Sequence, residues 1–235
     1  MSFHRGDLVA ALFFFFLPIL LLATPSTADY YNEPAELVDR GTAVYKGFMV
    51  DPNMEWFQRN VNQAKGIFIV PQMLRGGFIV GGSGGRGLLL AQDGLSGKWS
   101  YPAFYSMGSV SLGFQIGADA SEIILLIMTE RGLGAMLSTD YKLGADVSVA
   151  AGPVGASAKA QTADILAFGR SQGAFGGISV EGAVISPLVD WNRIYYGNPV
   201  QVFDIIHNQS VSNKQAEPLR QLMPKPGKST QTLGR

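Results

Sequence analysis

The sequence contains no cysteine, and this absence removes several classes of chemistry. Disulfide bonds, thiolate metal sites and cysteine nucleophiles are excluded. Histidine is almost as scarce, because only His4 and His207 are present, which removes most schemes of acid–base catalysis or zinc binding by imidazole. Charged residues make up 15% of the chain, below the ~25% that is usual in soluble domains. No cofactor or metal ion is predicted.

The composition that is present favours a globular protein with much β structure. Lysine plus arginine (18) equals aspartate plus glutamate (18), so the chain as a whole is not predicted to bind nucleic acid. Hydrophobic residues at 47% and aromatic residues at 11% are sufficient for a packed core. Glycine is abundant, with 29 residues, which favours tight turns and close backbone contacts over a helical bundle.

Residues 1–28 are predicted to be a secretory signal peptide. Arg5 precedes an uncharged apolar run from 8 to 23, and Ser26 and Ala28 give a small-x-small cleavage pattern. Cleavage near Ala28 predicts a secreted or periplasmic protein with possible peripheral association to a membrane. An uncleaved membrane anchor is the alternative, but the apolar run is shorter than the ~20 residues that a spanning helix needs.

Helical spacing of apolar residues predicts two amphipathic helices after the signal peptide. Asn32 would cap the first helix near Pro34, and Asp51 would cap the second at Pro52. The apolar face of the first helix is predicted to contain Leu37, Val38, Gly41, Val44, Tyr45 and Phe48. The apolar face of the second is predicted to contain Met54, Phe57, Val61 and Ala64.

Beyond Gly66 the pattern changes to short apolar segments separated by glycine-containing turns, among them Asp93-Gly94. The predicted strands are 66–71, 77–81, 88–92, 145–150 and 163–168, and 122–128 is predicted to be a buried strand or a short helix. The predicted fold class is therefore α+β: two N-terminal amphipathic helices followed by a glycine-rich, mainly antiparallel sheet or barrel-like core. Residues 29–213 would form the domain. Residues 214–235, with five basic residues and one acidic residue, are predicted to be a mobile basic tail.

Two short motifs suggest enzymes, but their context does not support either one. The G-x-G-x-x-G pattern at 82–87 is followed by too few residues before the next turn to form the helix of a dinucleotide site. The G-x-S-x-G pattern around Ser171, with Asp190 and His207 after it, has the order of a serine hydrolase. A nucleophile elbow leads into a helix, whereas glycines follow here. The hydrolase is the least favoured alternative, and the chain is predicted not to be an enzyme.

A set of motifs in a fixed order resembles the SYLF domain family. They are Lys65-Gly66-Ile67 with Pro71, Gly77-Phe78-Ile79, Gly85-Arg86-Gly87, Trp99-Ser100-x-Pro102-x-Phe104, Gly113-x-Gln115-x-Gly117, Asp146 to Pro153, Arg170-Ser171-x-Gly173 and Asn192 to Gly197. The resemblance covers about residues 33–200 and implies a lipid-binding module, here of the secreted bacterial single-domain type. Eukaryotic members also have roles with actin and SH3 domains, which we do not expect for this chain.

The candidate binding residues come from a stretch without acidic residues. Residues 56–92 contain Arg59, Lys65, Arg75 and Arg86 and no aspartate or glutamate. Each cation would contribute ~1 kcal/mol near an anionic surface, and Trp99 would add an interfacial aromatic contact. We therefore expect a non-catalytic protein of the cell envelope that binds an anionic phospholipid or a phosphoinositide-like lipid. The alternative is a structural or adaptor protein of the envelope, whose flat glycine surface binds another protein.

Overall fold

The computed structural model describes residues 27–77, 80–112, 117–138, 140–151, 162–171, 174–175 and 180–225. Its α-helices are α1 (Thr27–Val50), α2 (Glu55–Asn60), α3 (Glu130–Met136), α4 (Val189–Tyr196), α5 (Val202–Ile206) and α6 (Glu217–Leu222). Its strands are β1 (Gly66–Gly77), β2 (Val80–Ala91), β3 (Ala103–Leu112), β4 (Gly117–Ile127), β5 (Tyr141–Lys142), β6 (Val149–Ala151), β7 (Ile165–Ser171), β8 (Ala174–Phe175) and β9 (Val184–Pro187).

Some of the predicted features lie outside the described residues. These are the signal peptide up to residue 26, the motif residues Phe78, Ile79, Gly113, Gln115, Gly152, Pro153 and Gly173, and the last ten residues of the predicted tail. In the part of the chain that is described, no helix is both long and apolar enough to span a bilayer.

The two predicted N-terminal helices are present, and the first is longer than predicted. Helix α1 begins at Thr27, so Pro34 lies inside it, although proline supplies no N–H to the helical hydrogen bonds. All the apolar positions predicted for its inner face are buried, including Phe48 with no exposed area. In the second segment the Asp51 carboxylate accepts a hydrogen bond from the Asn53 N–H, as predicted for a cap. That segment consists of α2 with a short 3-10 turn at each end.

The strands form one curled, mainly antiparallel sheet in the order β5-β9-β3-β2-β1-β4-β7-β6, with β8 paired to β7. Of the described strand pairs, β6 with β7 is the parallel one. The two ends of this order, β5 and β6, are neighbours in sequence and are joined by a turn that contains the Leu143–Val147 bridge. The sheet must therefore curl back toward itself, which confirms the predicted α+β class and the barrel-like core.

The sheet separates two hydrophobic clusters because side chains alternate between its faces. On one face, hereafter the helix face, Ile67, Leu88, Phe104 and Phe168 pack with α1, α2, α4 and α6. On the other, hereafter the inner face, Phe68, Leu89, Tyr105 and Ile165 pack with residues of α3 and α5. Gly41 lets α1 lie close to the sheet, since a Cβ there would be 2.8 Å from Leu88 Cδ2.

Strand β1 is central in the sheet, yet it contains a proline. Both of its pairings change register at this point, between Ile69 and Gln72 on one side and between Val70 and Met73 on the other. Pro71 thus lies in a β-bulge, which is where a central strand tolerates a residue without an N–H. The bulge lies directly beneath α1 and helps to shape the site described below.

The predicted start of a mobile tail at residue 214 is wrong for the residues that the structure describes. Residues 214–216 form a 3-10 turn that leads into α6. Three apolar side chains of this segment, Ala216, Leu219 and Met223, are buried in the cluster on the helix face. The prediction failed because the segment contains few apolar residues, and low apolar content is typical of a tail. Three buried side chains are nevertheless enough to hold this short helix against the domain. The folded domain extends to at least residue 225.

Candidate functional site

The predicted lipid-binding cations Arg59 and Lys65 lie on the surface, and each is paired with an acid. Arg59 forms an ion pair of 3.5 Å with Glu55, one turn earlier on α2. Lys65 Nζ lies 2.8 Å from Glu130, which begins α3. Surface pairs of this kind contribute little to stability, but they place a carboxylate beside each cation. Residues 56–92 contain no acidic residue, but in the folded structure acidic residues from outside this stretch lie next to its cations.

The other two predicted cations, Arg75 and Arg86, lie on opposite faces of the sheet. Arg86 is paired with Gln72 on the neighbouring strand and shares its face. Arg75 is three positions from Gln72 along the same strand, so it points to the other side, where it is paired in register with Asp119. The structure does not bring the four predicted cations together into one basic patch.

Trp99 is a core residue, 6% exposed. Its indole N–H donates a hydrogen bond of 2.7 Å to the Pro224 carbonyl, and its own carbonyl accepts two from the Arg220 guanidinium. These contacts connect the β2–β3 connection to the C-terminal helix. Trp99 therefore holds this part of the fold together, and little of its side chain is left exposed for contact with a lipid surface.

We expect Trp99→Phe to lower the free energy of unfolding by about 1–2 kcal/mol, because the buried Pro224 carbonyl loses its donor. Urea unfolding followed by circular dichroism would measure this change. Vesicle affinity, measured below the unfolding transition, should stay as in the parent protein. A loss of vesicle binding at unchanged stability would instead support the predicted role of Trp99 in lipid contact.

The three residues of the alternative serine hydrolase do not meet. The Ser171 hydroxyl donates to the Asp119 carboxylate, and this hydrogen bond is the main cause of the lowered pKa of Asp119. Asp190 accepts from Arg193 within α4, and the His207 ring lies against Phe203. After Ser171 the chain returns as β8, which pairs antiparallel with β7. The described part of the motif is therefore a hairpin, without the helix that follows a nucleophile elbow.

A long trough lies along one side of α1, where the sheet extends beyond the helix. It consists of two cavities of about 520 and 490 Å³ that share Arg40, Pro71 and Gln72. Its wall on α1 contains Glu33, Glu36, Leu37, Arg40, Ala43 and Val44. Its floor on the sheet includes Pro71, Gln72, Leu74, Gly84, Arg86, Ala120, Glu122 and Arg170. We call this feature the α1 trough.

Two of the three arginines in the α1 trough are held by other side chains. Arg86 lies 3.4 Å from Glu33 and stacks over the Trp191 ring at 4.6 Å from its centre. Arg170 contacts Glu122 at 2.5 Å and Asp51 at 3.3 Å. The pKa of Asp51 is lowered, first by its hydrogen bond from the Asn53 N–H and then by Arg170.

Arg40 differs from these two arginines because no carboxylate of the described chain lies within 4.0 Å of its guanidinium. It stands where the two cavities meet. Arg40 could not be recognised from the sequence alone, because Glu36 and Asp39 precede it closely in a mixed-charge segment. Helical spacing does place Glu33, Glu36, Arg40 and Ala43 on one side of α1. The sequence therefore indicates that these residues share a surface, which in the structure is the α1 wall of the trough.

From the floor of the α1 trough outward, the sheet presents a row of small and apolar residues across five strands. Paired positions place Ala120, Leu74, Gly84, Gly108 and Val184 side by side on the helix face.

Val110 lies two residues beyond Gly108 on the same face and is 80% exposed, while Leu74 is 56% exposed. We call these residues the glycine strip. A Cβ built on Gly84 would meet nothing within 4 Å, so packing within the chain does not require glycine there. Exposed apolar surface of this kind commonly marks an interaction site.

Comparison with known proteins adds information about relatives of this chain. A family described as "Ysc84: Las17-binding protein actin regulator" matches residues 108–225. SH3 domain-containing YSC84-like protein 1 of Homo sapiens is 28% identical over 169 residues, which are 69% of this chain and 49% of that protein. LAS seventeen-binding protein 3 of Saccharomyces cerevisiae is 32% identical over 146 residues, with 59% and 31% covered. Protein YSC84 of the same yeast is 29% identical over 171 residues, with 69% and 36% covered. The chain spans about half the length of the first of these relatives.

Proposed function

Since the chain belongs to the Ysc84 family, which is the SYLF family that its motifs resemble, we propose that it is a non-catalytic module that binds an anionic amphiphile in the α1 trough. The description of the family and the name of one relative, LAS seventeen-binding protein 3, are those of binding proteins. The observation that carries the proposal is the position of Arg40, a cation without a carboxylate partner, next to the exposed apolar glycine strip. A charged head beside an apolar surface is the arrangement that an amphiphile requires.

The physical basis of binding would be burial of an acyl chain against a smooth surface. Burial of apolar area contributes roughly 25 cal/mol per Å², and glycines at 84 and 108 allow a chain to approach the backbone closely. Leu74 and Val184 border these glycines and supply apolar side chains on either side. Arg40 would then fix the head group by charge, at the junction of the two cavities.

We expect Leu74→Asp to weaken binding to phosphatidylglycerol vesicles at least about tenfold, because a carboxylate placed on the apolar surface would have to be desolvated. Co-sedimentation of the full chain with vesicles would measure the affinity. Leu74 is 56% exposed, so the substitution should leave the stability nearly unchanged.

The matched control for this experiment is Leu95→Asp. Leu95 is fully exposed in the β2–β3 connection, at the end of β2 away from Gly84. Both variants keep residues 1–28, so any binding by that apolar segment is common to them. An equal loss in both variants, or a loss in Leu95→Asp alone, would contradict the proposed location. A parent protein that binds no vesicles would contradict the function itself.

Protein binding is the second candidate, and the names of the relatives favour it, since one of them binds LAS seventeen. In that case the glycine strip would contact a protein, and a flat surface without protruding side chains would suit close backbone packing. Chemical crosslinking of the full chain in the cells that produce it would test it. A crosslinked protein partner that is lost in Leu74→Asp, together with unchanged vesicle affinity, would favour this candidate over lipid binding.

A further inference from the structure

The charges that line the α1 trough restrict the class of amphiphile that it can hold. Three cations, Arg40, Arg86 and Arg170, stand among three lining carboxylates, those of Glu33, Glu36 and Glu122. The trough is therefore electrically balanced, in contrast to the basic site that the sequence predicts. The negative charge that a ligand can carry therefore depends on how much positive charge the trough has left once its own ion pairs are counted.

Two of the cations are already neutralised. Arg86 is paired with Glu33 and rests on Trp191. Arg170 has two carboxylate partners, Glu122 and Asp51. Only Arg40, of the arginines in the described trough, can pair with a ligand without first breaking an ion pair.

The carboxylates of the trough would oppose any additional negative charge. Glu33 is already paired with Arg86 through one oxygen, and its other oxygen is buried without a hydrogen-bond partner among the described residues, so this ion pair offers no positive charge to a second anion. Glu36 lies one turn before Arg40 on the same helix. A head group with several phosphates would place its second and third charges close to these acids, because Arg40 can accommodate only one of them.

We infer that the α1 trough selects amphiphiles with a single negative charge and discriminates against polyphosphorylated head groups. The chemistry that it recognises is one phosphodiester or carboxylate joined to an acyl chain. This inference rests on the proposed function. Of the two head-group classes that the sequence leaves open, it chooses the anionic phospholipid and rejects the phosphoinositide-like lipid.

The test compares two sets of vesicles that are matched in total surface charge. One contains phosphatidylglycerol, and the other contains fewer molecules of a phosphatidylinositol bisphosphate. The full chain should bind the phosphatidylglycerol set about fivefold more tightly or better. Arg40→Ala should weaken that binding about fivefold, which corresponds to the loss of one cation near an anionic surface, and Arg40→Lys should retain most of it.

Lys46→Ala is the matched control, since Lys46 is an exposed cation of the same helix that does not line the trough. It should leave both affinities unchanged. Glu36→Gln should improve binding to the bisphosphate vesicles, because it removes one opposing charge. Tighter binding to the bisphosphate set, or equal losses in Arg40→Ala and Lys46→Ala, would overturn the inference while leaving lipid binding intact. Absence of binding to either set would overturn the proposed function together with it.

Free oleate and soluble glycerophosphoglycerol distinguish the sources of the single charge. Binding of oleate by the full chain, with a fivefold loss in Arg40→Ala, supports the shared chemistry for a carboxylate head. Glycerophosphoglycerol is a phosphodiester with one negative charge and no acyl chain, so it should not compete with either ligand. Effective competition by glycerophosphoglycerol would contradict the requirement for an apolar tail.

Discussion

Replacing Asp164 with alanine should lower the free energy of unfolding by about 3 kcal/mol, because several hydrogen bonds to a buried carboxylate are lost together. The Asp164 side chain is 6% exposed. Its oxygens accept from the Thr129 hydroxyl at 2.7 Å, from the Ser148 N–H at 3.0 Å, from the Ser148 hydroxyl at 2.6 Å and from the Arg131 guanidinium. Thr129 also caps α3 through the Gly132 N–H. One carboxylate thus joins the start of β7 to β6 and α3.

The same carboxylate makes stability depend on pH in a defined direction. The pKa of Asp164 is well below its usual value, chiefly because of the Arg131 hydrogen bond. A group whose pKa is lowered by folding stabilises the fold above its unfolded pKa, which is ~4 for aspartate, and loses this contribution as the pH falls toward the folded value. The parent protein should therefore lose this contribution progressively below about pH 4, and Asp164→Asn should show a flatter dependence.

Denaturant unfolding at a series of pH values would measure both effects. Asp140→Asn is the control, because Asp140 is exposed and its substitution removes the same formal charge. It should change stability by less than about 0.5 kcal/mol. Equal losses in the two variants would mean that net charge, rather than the Asp164 hydrogen bonds, determines the stability of this region.

Gly85→Ala should destabilise the protein by about 3 kcal/mol, whereas Gly84→Ala next to it should be nearly neutral. A Cβ on Gly85 would lie 2.5 Å from the Gln72 carbonyl oxygen and 2.9 Å from Val70 Cγ1. Both neighbours belong to the bulge of β1, whose backbone cannot withdraw without disturbing the central pairings of the sheet. A Cβ on Gly84 would meet nothing within 4 Å, since this residue faces the α1 trough.

Thermal unfolding of the two variants provides the comparison, and each acts as the control for the other. Both variants replace a glycine of β2 with alanine, so the change in intrinsic strand propensity is the same. The difference between their stabilities therefore isolates the contact with the bulge. Similar stabilities for the two variants would show that the bulge moves to accommodate a methyl group. A large loss in Gly84→Ala would show that the glycine strip is required for folding rather than left free for a ligand.

These glycines also show how much the sequence motif could reveal. The pattern at 82–87 is not a nucleotide loop, as its context indicated, and it forms part of β2. Sequence reasoning predicted close backbone contacts there, and Gly85 and Gly87 have them: a Cβ on Gly87 would lie 2.8 Å from the Ile69 carbonyl oxygen. The sequence could not separate these two residues from Gly84, because the distinction depends on the face of the strand and on the bulge at Pro71.

The helices were the most predictable elements because their signals are local. The spacing of Val44 and Phe48, the cap at Asp51 and the position of Phe57 all depend on neighbours within about two turns. The true start of α1 was missed because Pro34 is a common first residue of a helix. The helix passes through this proline, and the packing of residues that follow outweighs the lost hydrogen bond.

The candidate site was much less predictable because ion pairs join residues that are distant in sequence. Arg86 pairs with Glu33, and Lys65 pairs with Glu130, so a count of charges along the chain overstates how basic this region is. The alternation of strand residues then separates Arg75 from Arg86. Arg40 was overlooked for the opposite reason: Glu36 and Asp39 precede it closely in sequence, but neither forms an ion pair with it in the structure, and Arg40 lines the α1 trough.

The contacts of α1 with the end of the chain determine the order in which the domain can be completed. Gln215 donates to the Ala35 carbonyl at 3.0 Å and to the Asp39 carboxylate at 2.7 Å, across some 180 positions of sequence. During synthesis from the N-terminus, this flank of α1 stays uncovered until Gln215 has been made. Closure over such a long loop is entropically costly and slow. Helix α1 is therefore synthesised well before the residues that complete its enclosure.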